Sequence, residues 1–165
     1  MTRSLLALLA VSAAALATPS LAAEFKSGDV TVENPWARAT PKGADVGAGY
    51  LTIRNNGVAP ERLTGGSADF ASVEVHEMKT ENGVMKMREM KNGLAIPAHG
   101  TVKLAPGGYH IMFTHLTKPL TKGETVKATL NFEHAPPLAV EFSVEGMGAS
   151  GPAGAKGGKV GGMKM

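Results

Sequence analysis

The sequence predicts an all-β domain, an antiparallel β-sandwich or barrel, and three observations support this prediction. Between residues 28 and 144 the apolar residues form short alternating runs, which are typical of half-buried strands. Gly, Pro and Asn residues that favour turns separate these runs. After the N-terminal segment, no helical period extends beyond a turn or two. Short strands at this spacing favour a sandwich or a barrel.

The individual strands follow from the alternation and from the turn signals between them. The predicted strands are Val30–Val32, Gly49–Arg54, Ser72–Met78, Val84–Met90, Thr101–Leu104, Tyr109–Phe113, Thr125–Glu133 and Leu138–Val144. The strongest turn signal is Asn82-Gly83, because this pair accepts the positive φ angles of a type I′ turn. It predicts a hairpin between the third and fourth of these strands.

The two ends of the chain differ from this domain. Arg3, an apolar run over residues 5–17 and the small residues around Ala22 and Ala23 predict a signal peptide over residues 1–22. The run is shorter than the roughly 20 apolar residues of a membrane-spanning helix, so we expect an exported domain without membrane insertion. No Cys follows the run, so acylation as a lipoprotein is not expected. The domain is predicted over residues 23–145, and residues 146–165, rich in Gly, Lys and Met, are predicted to form a flexible tail.

Composition excludes several classes of function. A formal net charge of +3, spread along the chain, is not the footprint of a nucleic-acid-binding protein. The chain has no Cys, which excludes thiolate chemistry and a blue-copper site, where a Cys thiolate joins two His. No Ser-His-Asp triad or paired-carboxylate arrangement stands out, so we do not expect an enzyme. Methionine is abundant instead, and five residues fall in one third of the chain: Met78, Met85, Met87, Met90 and Met112.

Strand alternation assigns several of these residues to particular faces. In residues 73–78, His76 and Met78 point away from the face of Val73 and Val75. Across the Asn82-Gly83 turn, Met85 and Met87 share one face. In the strand of residues 109–113 the alternation separates Tyr109, Ile111 and Phe113, on the predicted core face, from His110 and Met112. Three strands therefore each present a His or Met pair on a face away from the core.

The chemistry of these donors favours copper. A single Met usually fills an irregular core, but the joint occurrence of these pairs favours a metal site. Thioether sulfur is a soft ligand that selects Cu(I) over zinc, calcium or magnesium, and imidazole also suits copper. A thioether needs no deprotonation, in contrast to a thiol, so it remains a ligand over a wide pH range. We therefore expect Cu(I) as the bound metal ion, with Cu(II) bound weakly at most.

The chain resembles the periplasmic copper A chaperone family, often written PCu(A)C. The matching segments are Asn34-Pro35-Trp36-Ala37-Arg38-Ala39-Thr40, Gly49-Tyr50-Leu51-Thr52-Ile53-Arg54-Asn55, His76-Glu77-Met78, Asn82-Gly83-Val84-Met85-Lys86-Met87 and Pro106-Gly107-Gly108-Tyr109-His110-Ile111-Met112. The resemblance implies a cupredoxin-like fold, a periplasmic location and a copper chaperone. Its implied client is the copper subunit of a respiratory cytochrome c oxidase or a Sco-type thiol protein.

The resemblance also implies the ligands. The family's four Cu(I) ligands fall on His76, Met87, His110 and Met112. His110 lies 23 positions after Met87, one more than the family pattern leads us to expect, so Met85 remains an alternative to Met87. Met78 is a possible additional ligand.

Other functions and other conspicuous residues complete the predictions. A periplasmic copper-scavenging or storage protein, or a structural β-sandwich, is the alternative function, and a monomer is expected. Trp36 is predicted to be core or a cover beside strand ends, and Arg38 and Glu77 to be surface charges or partners that orient a histidine. His99 is expected in an exposed turn and His134 in a loop, whereas His115 follows the metal strand and remains an alternative ligand. The tail methionines are interpreted as weak copper donors or simply as part of the flexible tail: Met147, Met163 and Met165.

Overall fold

The computed structural model of the protein describes residues 22–154. Residues 1–21 of the predicted signal peptide and the last part of the predicted tail, with Met163 and Met165, lie outside the described residues. None of residues 22–154 belongs to a helix with the length and apolar character that a membrane span requires. In this part of the chain the regular elements are strands: β1 Glu24–Ser27, β2 Val30–Arg38, β3 Val46–Asn55, β4 Glu61–Ala68, β5 Ala71–Glu81, β6 Val84–Glu89, β7 Leu94–Ile96, β8 Thr101–Leu104, β9 Tyr109–Thr114, β10 Thr125–Phe132 and β11 Leu138–Glu145. The all-β prediction is confirmed.

The strands form one sheet that closes on itself. Its order is β1-β2-β11-β10-β4-β5-β9-β3-β8, and the additional pairing of β2 with β3 closes a ring of seven strands. Strands β6 and β7 lie outside this ring and pair with β5 and β4. All pairs are antiparallel except β2 with β11, which is parallel. The fold is therefore a closed barrel with extra strands.

The interior of the barrel holds the hydrophobic core. Ile53, Leu63, Ile111, Phe113 and Phe142 are fully buried in it. Burial of side chains of this size contributes roughly 1.5–3 kcal/mol each. A Cβ at Gly49 would lie only 2.9 Å from the Phe113 ring, so glycine leaves room there for the aromatic packing.

A bulge in β2 decides which of its side chains face outward. The sequence predicted a strand that ends at Val32, but β2 continues through Asn34-Pro35 to Arg38. The register shifts by one residue between Glu33 and Trp36, and Asn34 has a φ of 50°. Before the bulge the even-numbered residues point inward, whereas Ala37 points inward after it. Trp36 is thereby turned to the outer face.

Strands β1, β4 and β7 were missing from the prediction. In β4 the pair Gly65-Gly66 resembles a loop, but the neighbouring strand requires glycine there. A Cβ at Gly66 would collide with the backbone carbonyl of Thr129 on β10. Strands β1 and β7 contain only four and three residues, too few for a reliable alternation.

The predicted hairpin is confirmed. Asn82 and Gly83 have φ angles of 53° and 77°, as the two central residues of a type I′ turn require. The turn joins β5 to β6 in a register that places Met78 opposite Met87. All six residues of β6 are exposed. The hairpin therefore extends from the barrel and presents one strand with a free edge.

Candidate metal centre

The two histidines that alternation placed on the outer face lie directly opposite each other. His76 on β5 is the cross-strand partner of His110 on β9. Their ring centroids are 5.8 Å apart and the ring planes are inclined by 38°. Both strands belong to the closed ring of the barrel, so their neighbours hold the two imidazoles in this arrangement.

Met112 lies one step further along the same face of β9. Its cross-strand partner is Glu74 on β5, and its side chain is 8% exposed. His110 is 5% exposed. Neither residue belongs to the core cluster inside the barrel, so other groups on the outer face bury them. The structure thus brings together three of the predicted ligands: His76, His110 and Met112.

The hairpin strand β6 places the other methionines at graded distances from this group. Glu89 pairs with His76, Met87 pairs with Met78, and Met85 pairs with Thr80. Met87 is therefore a diagonal neighbour of His76, within the reach of a long side chain. Met85 lies two residues further along the strand, nearer the tip. Met87 and Met85 are 51% and 56% exposed.

Hydrogen bonds fix the proton on each imidazole. His76 Nε2 lies 2.8 Å from Glu74 Oε2, and a carboxylate oxygen only accepts, so the Nε2–H donates to it. His110 Nδ1 lies 3.2 Å from the carbonyl oxygen of Gly108, so its Nδ1–H is the donor. In the neutral rings the remaining lone pairs are therefore on Nδ1 of His76 and Nε2 of His110.

One of these lone pairs is buried without a partner. Within residues 22–154, Nδ1 of His76 is a buried polar atom that has no hydrogen-bond partner. Such atoms are uncommon, and each suggests a functional role or a bound ion. Burial also lowers the pKa of His110, with a further lowering from His76, while the Gly108 carbonyl acts in the opposite direction. The net shift favours the neutral imidazole that a metal ion requires.

Aromatic rings extend the site across two more strands. The Tyr50 ring on β3 lies 6.5 Å from the His110 ring, and Trp36 on β2 lies 4.6 Å from Tyr50. The guanidinium of Arg38 lies 5.7 Å from the centre of the Tyr50 ring. Arg38 also donates to the carbonyl oxygen of Ala149, which brings the segment after β11 against this side. Trp36 therefore covers the outer face beside the site, as one of its two predicted roles requires.

Two residues of the site were missed from the sequence. Glu74 is the partner of His76, whereas Glu77, the acid considered for this role, pairs with Arg88 at 2.8 Å. The signal for Glu74 was present, because a residue two positions before His76 shares its face. Tyr50 gave no such signal, since its position beside His110 depends on the pairing of β3 with β9.

The donor set is unusual in its composition. In the described part of the chain, no three His, Asp or Glu side chains form a group that could hold a metal ion. A metal held by His76 and His110 would have the thioether of Met112 on the same face of β9 as a further donor. Such a site suits a soft cation and is unsuited to zinc or calcium.

The remaining histidines and two of the remaining methionines lie outside the candidate metal centre. His99 and His134 are exposed loop residues, as predicted, and His134 Nδ1 lies 3.3 Å from Glu61 Oε1. His115 is also exposed, in the bend after β9. Met147 is exposed, and Met90 packs against the core.

Comparison with solved structures identifies proteins that share this fold. The copper-bound PCuAC domain from PmoF2 superposes with a TM-score of 0.63 and 30% identity, over 75% of this chain and 98% of that domain. Cu(I)-bound DR1885 from Deinococcus radiodurans superposes with a TM-score of 0.56 and 33% identity, over 73% of this chain and 80% of that protein. The protein is thus a PCuAC-type β-barrel with the cupredoxin-like fold.

Comparison of the sequence with protein families assigns the chain to a named family. The model of the LpqE-like family ("Putative lipoprotein LpqE-like") matches residues 30–144, and the chain belongs to this family. A curated relative, "Putative lipoprotein Lxx21020" of Leifsonia xyli subsp. xyli (strain CTCB07), is 38% identical over 104 residues, or 62% of this chain. The match spans only 61% of that relative's length. The 165 residues of this chain include no Cys that could carry a lipid thioether.

Proposed function

We propose that this protein is an exported copper carrier that binds one Cu(I) between His76, His110, Met112 and Met87. The observation that carries the proposal is the opposition of His76 and His110 across β5 and β9, with an unpartnered buried Nδ1 on His76. Further support comes from the solved relatives, since one PCuAC domain is described as copper-bound and DR1885 as Cu(I)-bound.

Charge and softness favour Cu(I) as the cargo. Two neutral imidazoles and two thioethers add no negative charge, and the Glu74 carboxylate beside His76 would balance the single charge of Cu(I). A divalent cation would leave a larger uncompensated charge next to buried groups. Soft sulfur ligands also favour Cu(I) over Cu(II), so we expect only weak binding of Cu(II).

The register favours Met87 over Met85 as the fourth ligand. Met87 is the diagonal neighbour of His76, whereas Met85 pairs with Thr80, four residues along β5 from His76. A rise of about 3.4 Å per residue places the backbone of Thr80 roughly 14 Å from that of His76. Met78, which pairs with Met87, lies closer than Met85 and is a possible fifth donor.

Neutral ligands suit a protein that releases its metal. Thiolates bind Cu(I) more strongly than thioethers, so a thiolate-bearing acceptor would draw the ion away. We propose that delivery ends at the copper centre of a respiratory cytochrome c oxidase, directly or through a Sco-type thiol protein in the periplasm. Met87, half exposed on the hairpin, leaves one side of the site open to such an acceptor.

A competition titration tests the binding site. Cu(I) affinity is measured without oxygen against a coloured Cu(I) chelator, for the wild type and for a His76→Asn, Met112→Leu double variant. The matched control is His99→Asn, Met90→Leu, which changes the same residue types elsewhere and places Asn at a positive φ that it tolerates. We expect a loss in the first variant alone. Equal affinity in both variants contradicts the proposed site.

A transfer assay tests the carrier role. The Cu(I)-loaded protein is mixed with the soluble copper domain of an oxidase subunit or with a dithiol acceptor, and copper is followed after separation. Transfer to the acceptor supports delivery. Retention of copper by this protein under all conditions contradicts delivery and favours storage.

A further inference from the structure

Glu74 is held from two sides on the outer face of β5. Its Oε2 accepts the hydrogen bond from His76 Nε2 at 2.8 Å, and its Oε1 accepts from Thr114 Oγ1 at 3.3 Å. Its side chain is 32% exposed, compared with 12% for His76. Thr114 belongs to β9, so the carboxylate joins the two strands that carry the histidines.

The two histidines differ in which ring nitrogen lies beside an acceptor oxygen. Glu74 engages Nε2 of His76, whereas the Gly108 carbonyl engages Nδ1 of His110. A carboxylate or carbonyl partner on the second nitrogen of a metal-binding imidazole fixes its tautomer and its orientation. The unpartnered buried atom of His76 is the nitrogen that this arrangement leaves free.

We propose that Glu74 is a positioning residue that fixes His76 as the Nε2–H tautomer, so that Cu(I) is bound by Nδ1 of His76 and Nε2 of His110. This inference rests on the proposed function, because it concerns the same copper site. The carboxylate also makes the imidazole a better electron donor, which increases metal affinity. Glu74 itself does not bind the metal.

The other groups around His76 leave this role to Glu74. His110 and Met112 face it from β9, and both are proposed ligands. Glu89 on β6 pairs with His76, but the His76 side chain hydrogen-bonds to Glu74. Glu77 is occupied by Arg88. Glu77 therefore serves as the matched control for Glu74, since it is a carboxylate on the same strand with a different partner.

The test combines imidazole nitrogen NMR with copper affinity. Long-range ¹H–¹⁵N spectra are recorded on His-labelled protein, copper-free and Cu(I)-loaded, for the wild type, Glu74→Gln, Glu74→Ala and Glu77→Gln. In the wild type we expect a proton on Nε2 of His76 in both states and a shift of Nδ1 on loading. Glu74→Ala should give mixed tautomers and a loss of Cu(I) affinity of about 10- to 100-fold. Glu74→Gln should lose less, because its amide oxygen still accepts, and Glu77→Gln should match the wild type.

Three results would overturn the proposal. They are a proton on Nδ1 of His76 in the copper-free wild type, a Cu(I)-induced shift at Nε2, or wild-type tautomer and affinity in Glu74→Ala. A thermal unfolding curve for each variant separates these results from loss of folding. If the wild type binds no Cu(I), the proposed function fails, while the copper-free spectra still decide whether Glu74 fixes the tautomer.

Discussion

The barrel wall and the β5–β6 hairpin contribute to the candidate metal centre in different ways. On the wall, His110 and Met112 are buried, and their strand β9 pairs with β5 on one side and β3 on the other. On the hairpin, every residue of β6 is exposed, and β6 pairs with β5 alone.

Because of this difference, we expect the wall and the hairpin to have different roles within one site. Donors held by packing and by strands on both sides keep a fixed geometry, which is the basis of a preorganised metal site. A segment with little burial opens locally at a lower free energy than the core. The proposed function therefore assigns the geometry and affinity of copper binding to the wall, and assigns to the hairpin the donor that an acceptor would displace.

Removal of both wall imidazoles should have the largest effect on copper binding. His76→Asn combined with His110→Asn should reduce Cu(I) affinity by about 1,000-fold or more, equivalent to about 4 kcal/mol. Chelator competition measures the loss, and His99→Asn is the control. An affinity within about tenfold of the wild type would contradict the central role of the wall.

The free energy of unfolding should also distinguish the barrel wall from the hairpin. Met112→Ala removes a buried side chain and should lower the free energy of unfolding by about 2–5 kcal/mol. Met87→Ala alters an exposed position and should change it by less than about 0.5 kcal/mol. Chemical denaturation of the copper-free variants measures both, and equal losses would show that the hairpin is packed as firmly as the wall.

The two hairpin methionines should differ from each other in affinity. Met87→Leu should weaken Cu(I) binding by about tenfold, or about 1.4 kcal/mol, because it replaces a proposed thioether ligand with an apolar side chain of similar volume. Met85→Leu, two residues further along the same face, should have little effect. The converse result would identify Met85 as the ligand and would require a different path for the hairpin.

A carboxylate remote from the hairpin should affect stability and leave copper binding unchanged. Burial acts to raise the pKa of Glu61, but hydrogen bonds from the backbone N–H groups of Arg62, His134 and Ala135 outweigh it, and the net shift is downward. The folded state therefore binds fewer protons than the unfolded state, so this stabilisation is present above the unfolded pKa and lost as pH falls through the folded one.

Glu61→Gln tests this assignment. It should lower stability at neutral pH by about 1–3 kcal/mol, since three partly buried N–H groups lose a charged acceptor. The gap to the wild type should narrow as the pH falls below about 4.5, the ordinary value for Glu. Unfolding curves between neutral and acidic pH measure it, and a gap that widens in acid would contradict the sign of the shift.

Much of the fold and of the site could be predicted from local patterns. Alternation identified most of the strands, and Asn82-Gly83 predicted the hairpin, because both features depend on residues close in sequence. The strand at β4 was missed because Gly66 permits the close approach of β10, which depends on a distant partner. The predicted end of β2 at Val32 was wrong, because the strand continues through a bulge past Asn34-Pro35.

The sequence by itself determined the donor chemistry: a chain without Cys, with His and Met pairs on the outward face of three strands. Only the tertiary structure decided that His76 and His110 oppose each other, that Met87 lies nearer than Met85, and that Glu74 holds the imidazole. The reason is that alternation fixes the side of a strand on which a residue lies. Strand order and register, set by packing of the whole barrel, fix which residues meet.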